Sequence, residues 1–421
     1  MIEFKNMNKS ELANTVEILQ GRYEQFKTQG LNLNMTRGKP CKEQLDLSHD
    51  MLNYTEYISN DGIDCRNYGG VDGILEAKIL FAQLLEVSED EIIIGDNSSL
   101  SLMYDTILRA MLLGVDKNIC PWSKLPKVKF ICPSPGYDRH FSICELFGIE
   151  MITVKMNEDG PDMDTIESLV EKDDSIKGIW CVPKYSNPTG ITYSDDIVKR
   201  LANMKTKAKD FRIFWDNAYI VHHLSDSPDI LTNILDECKR AGNPDKVYIF
   251  SSTSKISFAG AGISIIAGSK NNIELTKKRI SIQTIGPNKL NQLKHAKFFK
   301  NVDGIIEHMK KHANILRPKF NAVLSILERE LSGKGIANWS NPNGGYFINL
   351  DVVSGCAKEI VGMAKEVGVV FTKAGATFPY GLDHDDKNIR IAPTFPPLAE
   401  LNKAIDVLSV CTQIVCAKRF L

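Results

Sequence analysis

Five residues of this sequence carry side chains that could do chemistry together: Lys255, Asp216, Tyr219, Asn187 and Arg390. Lys255 closes the run Ser251-Ser252-Thr253-Ser254-Lys255, just after an apolar segment and ahead of Gly260-Ala261-Gly262. A lysine held at the mouth of a strand can form a Schiff base with a carbonyl compound. Alone it would be a solvated charge, so its meaning depends on its company. Asp216 ends another apolar run, where a carboxylate can keep a pyridine nitrogen protonated and the ring an electron sink; alone it would cap a helix. Tyr219 follows it by three residues and can donate to a phenolate oxygen, or else fill a core. Asn187, in Ser186-Asn187-Pro188-Thr189-Gly190, offers an amide to the same oxygen from a turn that Pro188 stiffens, although Asn-Pro by itself signals only a turn. The guanidinium of Arg390 suits forked pairing with a planar carboxylate; a lone arginine would be a surface charge.

Positioning these groups requires a rim of strand ends. From about residue 75 onward short apolar runs alternate with amphipathic helical segments, the pattern of a mostly parallel α/β sheet. Seven strands are predicted, at Glu91–Ile94, Val128–Cys132, Ile149–Val154, Lys177–Val182, Phe211–Trp215, Lys246–Phe250 and Ile263–Ala267. Five of them run into polar loops that deliver Ser, Asn, Asp, Tyr and Lys to one edge, where open parallel sheets bind ligands. Helical spacing predicts a helix over 9–29 capped by Asn8 or Ser10, and a long charged helix from Asn301 to Leu331. The expected organisation is a large domain over 51–305 and a smaller discontinuous α/β domain made of 1–50 and 306–421.

Composition bounds the function. The 421 residues carry 51 basic and 52 acidic side chains, a net charge of −1, which gives no basic excess for nucleic acid. With 43% hydrophobic and 24% charged residues the chain is that of an ordinary globular protein, and no apolar stretch is long enough to span a bilayer. The N-terminal segment lacks the apolar core of a secretion signal and the arginine-rich character of a transit sequence, so a cytoplasmic protein is expected. The ten cysteines form no C-x-x-C pair and are expected to be reduced and mostly buried. No metal site is expected: His308 and His312 are four apart, but Lys310 and Lys311 between them indicate a solvated face. The adjacent His222 and His223 are expected to point apart on an extended strand. Gly260-Ala261-Gly262 lacks the rest of a dinucleotide fingerprint, and no P-loop is present.

The order of motifs, Tyr137 in PGYDRH, Asn187 in SNPTG, Asp216 and Tyr219 in DNAY, Lys255 in SSTSK and Arg390 in NIRIAP, resembles the class I aminotransferases of fold-type I, which use pyridoxal 5′-phosphate. The resemblance runs through nearly the whole chain. MTRGKP, NSSLSLMYD, GPNKLNQLKH and AGATFPYG are similar more narrowly to the subgroup Ic aspartate aminotransferases. It implies that Lys255 holds the cofactor and shuttles the substrate proton, that Tyr137 stacks on the ring, that Asp216 pairs with the ring nitrogen, and that Asn187 and Tyr219 bond its oxygen. Asn97, Ser98, Ser99 and Ser252 would hold the phosphate, and Tyr68 would reach the phosphate of a neighbouring subunit, which implies a homodimer. Arg390 would take the substrate α-carboxylate, with Asn187 beside it. One position departs from the pattern. Many relatives place an arginine eight residues after the lysine to neutralise the phosphate, and here that position is Ile263.

The implied activity is ping-pong transamination between aspartate and 2-oxoglutarate, giving oxaloacetate and glutamate. A dicarboxylic substrate needs a second cation, and Arg37, Lys39 and Lys289 are candidates, with Arg139 a fourth. Related scaffolds also serve 2-aminoadipate, kynurenine or aromatic donors, and fold alone does not choose among them. A non-catalytic, ligand-sensing domain of a transcriptional regulator is the rival of another class. About 35 residues precede TRGKP, and they contain no basic helix-turn-helix segment.

Overall fold

The seven predicted strands all form in the computed structural model, which describes residues 2–421. The large sheet consists of β1 (Ile92–Ile94), β2 (Lys129–Ser134), β3 (Glu150–Asn157), β4 (Gly160–Pro161), β5 (Ile176–Cys181), β6 (Arg212–Asp216), β7 (Val247–Ser252) and β8 (Ser264–Gly268). Their spatial order is β1-β8-β7-β6-β5-β2-β3-β4. The sheet thus has eight strands rather than seven. The additional one, β4, is two residues pairing antiparallel at the edge of β3, too short to leave a periodic signal. From β3 to β7 across the sheet all neighbours are parallel, while β8 runs antiparallel to both β7 and β1.

All residues of β5, β6 and β7 are buried, as expected of parallel strands covered on both faces. Gly178 in β5 is required by that packing, since a Cβ there would lie 2.5 Å from the Phe130 ring on β2. The charged residue in β5, Lys177, is paired with Asp210 at 2.7 Å, and Asp210 also accepts from Trp122 Nε1 at 2.8 Å. After β2 the chain moves outward to β3 and β4, then returns to lay β5, β6 and β7 on the other side. The crevice beyond the carboxyl ends of β2 and β5 is therefore the topological switch point of the sheet.

A second hydrophobic core lies beside the sheet. The helix Lys9–Lys27, capped by Asn8 in a reciprocal box with Glu11, buries Leu12, Leu19, Tyr23 and Phe26. These pack with Leu401 and Leu408 of the C-terminal helix Leu398–Phe420 and with a three-stranded antiparallel sheet formed by Ala337–Trp339, Ile348–Val352 and Asn388–Ile391. The long helix Val302–Leu331, capped by Asn301, joins the two cores. Ile305 and Met309 belong to the first, and Leu316, Phe320 and Val323 to the second.

His308 and His312 do not form a solvated face. Both are buried, with their Nε2 atoms 3.1 Å apart, while Lys310 and Lys311 lie on the exposed side of the helix. His222 and His223 point apart, but from a turn and a single bridge residue rather than from a strand. All ten cysteines are free; nine are buried and Cys120 is exposed. No helix among the described residues is long and apolar enough to cross a membrane.

Candidate active site

A cleft of about 520 Å³ opens at the switch point. The loops after β2, β5, β6 and β7 bring Tyr137, Asn187, Asp216, Tyr219 and Lys255 into it, and the second core contributes Arg390, Phe347 and Thr372. Five strand ends were expected to meet here, and all five do, since Ser99 from the loop after β1 also lines the wall.

Lys255 sits in a turn held from below. Buried His222 lies 3.3 Å from its carbonyl through Nε2, His308 Nε2 lies 2.9 Å from the Ile256 carbonyl, and His295 Nε2 meets the Ser257 and Thr253 hydroxyls at 2.7 and 3.1 Å. Among the described residues nothing accepts a hydrogen bond from its Nζ, which lies 5.1 Å from the centroid of the Tyr219 ring. Burial lowers the ammonium pKa below its ordinary value, opposed by the charge of Asp216. The amine is thereby poised as a nucleophile.

Asp216 is buried and bonded on one side only. Its Oδ2 is 3.0 Å from His140 Nε2, whereas Oδ1 is buried with no partner. His140 stacks on Trp180 with centroids 4.3 Å apart and meets Tyr137 edge-on at 5.0 Å, so the carboxylate is fixed in direction. A buried acceptor without a donor is costly unless a ligand supplies one. Tyr219, also buried, has its hydroxyl pKa pushed well above the ordinary value, first by desolvation and then by neighbouring Tyr137 and Asp216. Asn187 accepts through Oδ1 from Arg390 Nη1 at 3.3 Å, which leaves its amide N–H groups without an acceptor among the described residues. A flat ring with a protonated nitrogen at one end and an anionic oxygen at its side fits this set of partners.

The helix Ser99–Leu113 begins at the cleft, and its cap Ser98 makes no side-chain bond, so the first-turn N–H groups are available to an anion. Ser99 lines the cleft itself, whereas Asn97 and Ser98 line cavities adjoining it. Ser254 donates to the Asn97 carbonyl at 3.1 Å, which ties this loop to the lysine turn. Ser252 is buried at the end of β7, in register with Ser264 of β8. Ile263 is buried in the apolar core, and Lys294 is the cation that faces the same cavity as Asn97 and Ile263.

Arg390 is 8% exposed and loosely held: Nη1 reaches Asp138 at 3.4 Å and Asn187 at 3.3 Å, Nη2 reaches Thr372 at 3.3 Å, and Nε is buried without a partner. Arg37, Lys39 and Arg139 line the same cleft, with Lys39 Nζ 3.9 Å from the centroid of Phe395. Lys289 does not. It is buried elsewhere and donates to the carbonyls of Asn67 and Gly69 at 2.7 and 2.6 Å, so it supports the loop that carries Tyr68 and is not a substrate cation of this cleft. Tyr68 is 83% exposed and does not line the cleft of its own chain.

His140 and Lys373 were missed in the sequence. The first stands three residues after Tyr137 in PGYDRH, a spacing that returns it to the same strand end. Lys373 adds a cation to the mouth of the cleft and had no motif to mark it.

The family profile described as aspartate amino-transferase matches residues 7–421. The chain belongs to the aspartate aminotransferase family. It is 46% identical over 407 residues to the aspartate aminotransferase of Corynebacterium glutamicum, covering 96% of this chain and 94% of that one. The crystal structure of an aspartate transaminase from the same organism superposes with a TM-score of 0.97 at 44% identity, covering 100% of both chains. The protein is thus an aminotransferase with the fold-type I architecture, and the cleft described above is where its chemistry is to be sought.

Proposed function

We propose that the protein is a pyridoxal 5′-phosphate-dependent aspartate aminotransferase that passes an amino group between aspartate and 2-oxoglutarate by a ping-pong mechanism. The observation that carries this reading is the convergence in one cleft of an unpaired lysine amine, a half-bonded buried carboxylate and a loosely held guanidinium. When bound, the cofactor supplies an electron sink for the carbanion that forms at the substrate Cα. Asp216 Oδ1 would take the ring nitrogen, with His140 holding Oδ2, and Tyr137 would lie against the ring. Asn187 and Tyr219 would donate to the ring oxygen, while Asn97, Ser98, Ser99 and Ser252 would hold the phosphate.

Arg390 orients the substrate by its α-carboxylate so that the Cα–H bond faces Lys255. Lys255 Nζ would take the proton from Cα and carry it to the cofactor carbon bonded to the transferred nitrogen; the second half-reaction would run these moves in reverse. Burial lowers its pKa, opposed by the charge of Asp216, in the direction that a general base requires. The dicarboxylic assignment is supported by the name of the 46% identical relative and by the cations at the mouth of the cleft, Arg37, Lys39, Arg139 and Lys373. Tyr68, exposed in its own chain, would complete the phosphate site of a second subunit, so the active form is a homodimer.

The test is an absorbance titration of the purified protein. Aspartate should move the visible band of the bound cofactor to the near ultraviolet, and 2-oxoglutarate should return it. A band that ignores aspartate but answers an aromatic or longer donor would overturn the substrate; an unchanged band and full turnover in Lys255→Ala would overturn the site.

A further inference from the structure

A second cavity of about 320 Å³ lies beside the cleft and shares its loops. Val182 and Asn187 line the cleft, but Lys184 between them lines this cavity; Asp216 lines the cleft, but the next residue, Asn217, lines this one. Lys184 and Asn217 are 7% and 6% exposed. Among the described residues, nothing accepts a hydrogen bond from Lys184 Nζ, and no carboxylate comes within 4.0 Å of it; Asn217 Oδ1 is buried without a donor. Asp229, on the cavity wall, is engaged with the Thr192 hydroxyl at 2.6 Å and Asn343 Nδ2 at 2.8 Å. Glu86 is a second acid on the wall, and its charge and that of Asp229 act on Lys184 from a distance; the remaining wall is largely apolar and includes Leu84, Trp215, Leu231 and Ile306.

The Lys184 side chain is buried with its ammonium facing the cavity and no hydrogen-bond partner, whereas other buried lysines are satisfied: Lys177 is paired with Asp210 at 2.7 Å and Lys289 donates to two carbonyls. An amide oxygen left bare beside it adds to the cost. Two such groups facing one cavity are accounted for by a ligand that satisfies both. We propose that this cavity is a second binding site, for a small carboxylate on a short apolar chain, in which Lys184 pairs with the carboxylate, Asn217 offers an acceptor to a hydroxyl or a bound water, and the aliphatic wall takes the chain. Desolvation, which draws the Lys184 pKa down to about 8, is the penalty that such an anion relieves.

The probe is 3-methylbutanoate, which has an apolar branched chain and no amino or oxo group to react in the cleft. Calorimetric titration of the full-length protein with its cofactor bound should show saturable binding that is retained in Arg390→Leu and weakened at least ~10-fold in Lys184→Met, a loss of ~1.4 kcal/mol or more. The uncharged 3-methylbutanamide should bind at least ~10-fold more weakly than the acid. Lys184→Met should fold with an unchanged or raised melting temperature, because it removes an unpaired buried charge; Lys184→Gln is the second variant should the methionine not fit. Absence of saturable binding, or binding lost in Arg390→Leu and kept in Lys184→Met, would overturn the proposal.

Discussion

Replacing Arg390 with leucine tests the heart of the proposed site, and its effect can be sized from the geometry. The guanidinium is buried, its three bonds to Asp138, Asn187 and Thr372 are long at 3.3–3.4 Å, and Nε has no partner. Little of its bonding capacity is used within the chain. A substrate carboxylate arriving there would gain two charge-assisted hydrogen bonds worth about 1.5–3 kcal/mol each. Arg390→Leu should therefore lower kcat/KM by about 3–6 kcal/mol, or roughly 10²–10⁴-fold. Arg390→Lys keeps the charge but loses the fork and should fall between the two. The fold should survive, because the one charged partner, Asp138, is 35% exposed and can be solvated. The assay is steady-state turnover of several amino donors, with melting temperature measured alongside. Since every donor presents an α-carboxylate, the loss should be similar for all of them. A loss below about 5-fold, or one confined to dicarboxylic donors, would refute the assignment.

Three further outcomes are expected. His140→Ala leaves Asp216 Oδ2 buried and unpaired as well as Oδ1, at a cost of about 1–3 kcal/mol, so cofactor affinity measured by absorbance titration should fall roughly 5–150-fold; unchanged affinity would contradict the alignment of Asp216 by His140. Burial holds the pKa values of His295 and His223 down to about 4 and that of His312 to about 3, against the ordinary imidazole value of 6.5. Because the unfolded chain takes up these protons first, the contribution is complete above pH 6.5 and is lost as pH falls toward 4; urea unfolding should show stability dropping by about 4 kcal/mol per pH unit in the lower part of that window, and a flat profile would exclude neutral buried histidines. Tyr68→Ala and Lys255→Ala, each nearly inactive alone, should regain about a quarter of native activity when mixed and allowed to exchange subunits, since half the dimers then carry one intact site; no recovery would place Tyr68 in its own subunit's chemistry or in none.

The sheet was legible because its strands are apolar runs of 3–8 residues ending in polar loops, so pattern and burial agree. The residues that meet in the cleft were legible because they stand at the ends of those runs. What escaped was set by partners distant in sequence. The edge strand β4 exists only by pairing with β3. Lys289 looked like a candidate cation by its motif, yet its charge is spent on two carbonyls of the 67–69 loop, a contact 220 residues away that spacing does not reveal.

The buried histidines are the most instructive failure, because the sequence signal for them pointed the wrong way. Flanking Lys310 and Lys311 suggested solvent at His308 and His312, but on a helix residues two positions apart need not share a face, and the i, i+4 pair turned inward while the lysines turned out. Inside, the ring nitrogens serve backbone and side-chain groups that helices and strands leave unpaired: the Ile256 carbonyl beside Lys255, the Gln44 amide at 2.9 Å, and through Gln44 the Tyr346 hydroxyl at 3.0 Å. A catalytic lysine has to occupy a turn, where no ladder satisfies its backbone, and has to keep its place when its side chain is released. Neutral imidazoles meet that need without adding charge beside an amine that must itself lose one. The same low-dielectric surroundings that depress the histidine pKa values depress that of Lys255, so the packing that fixes the turn also prepares the nucleophile.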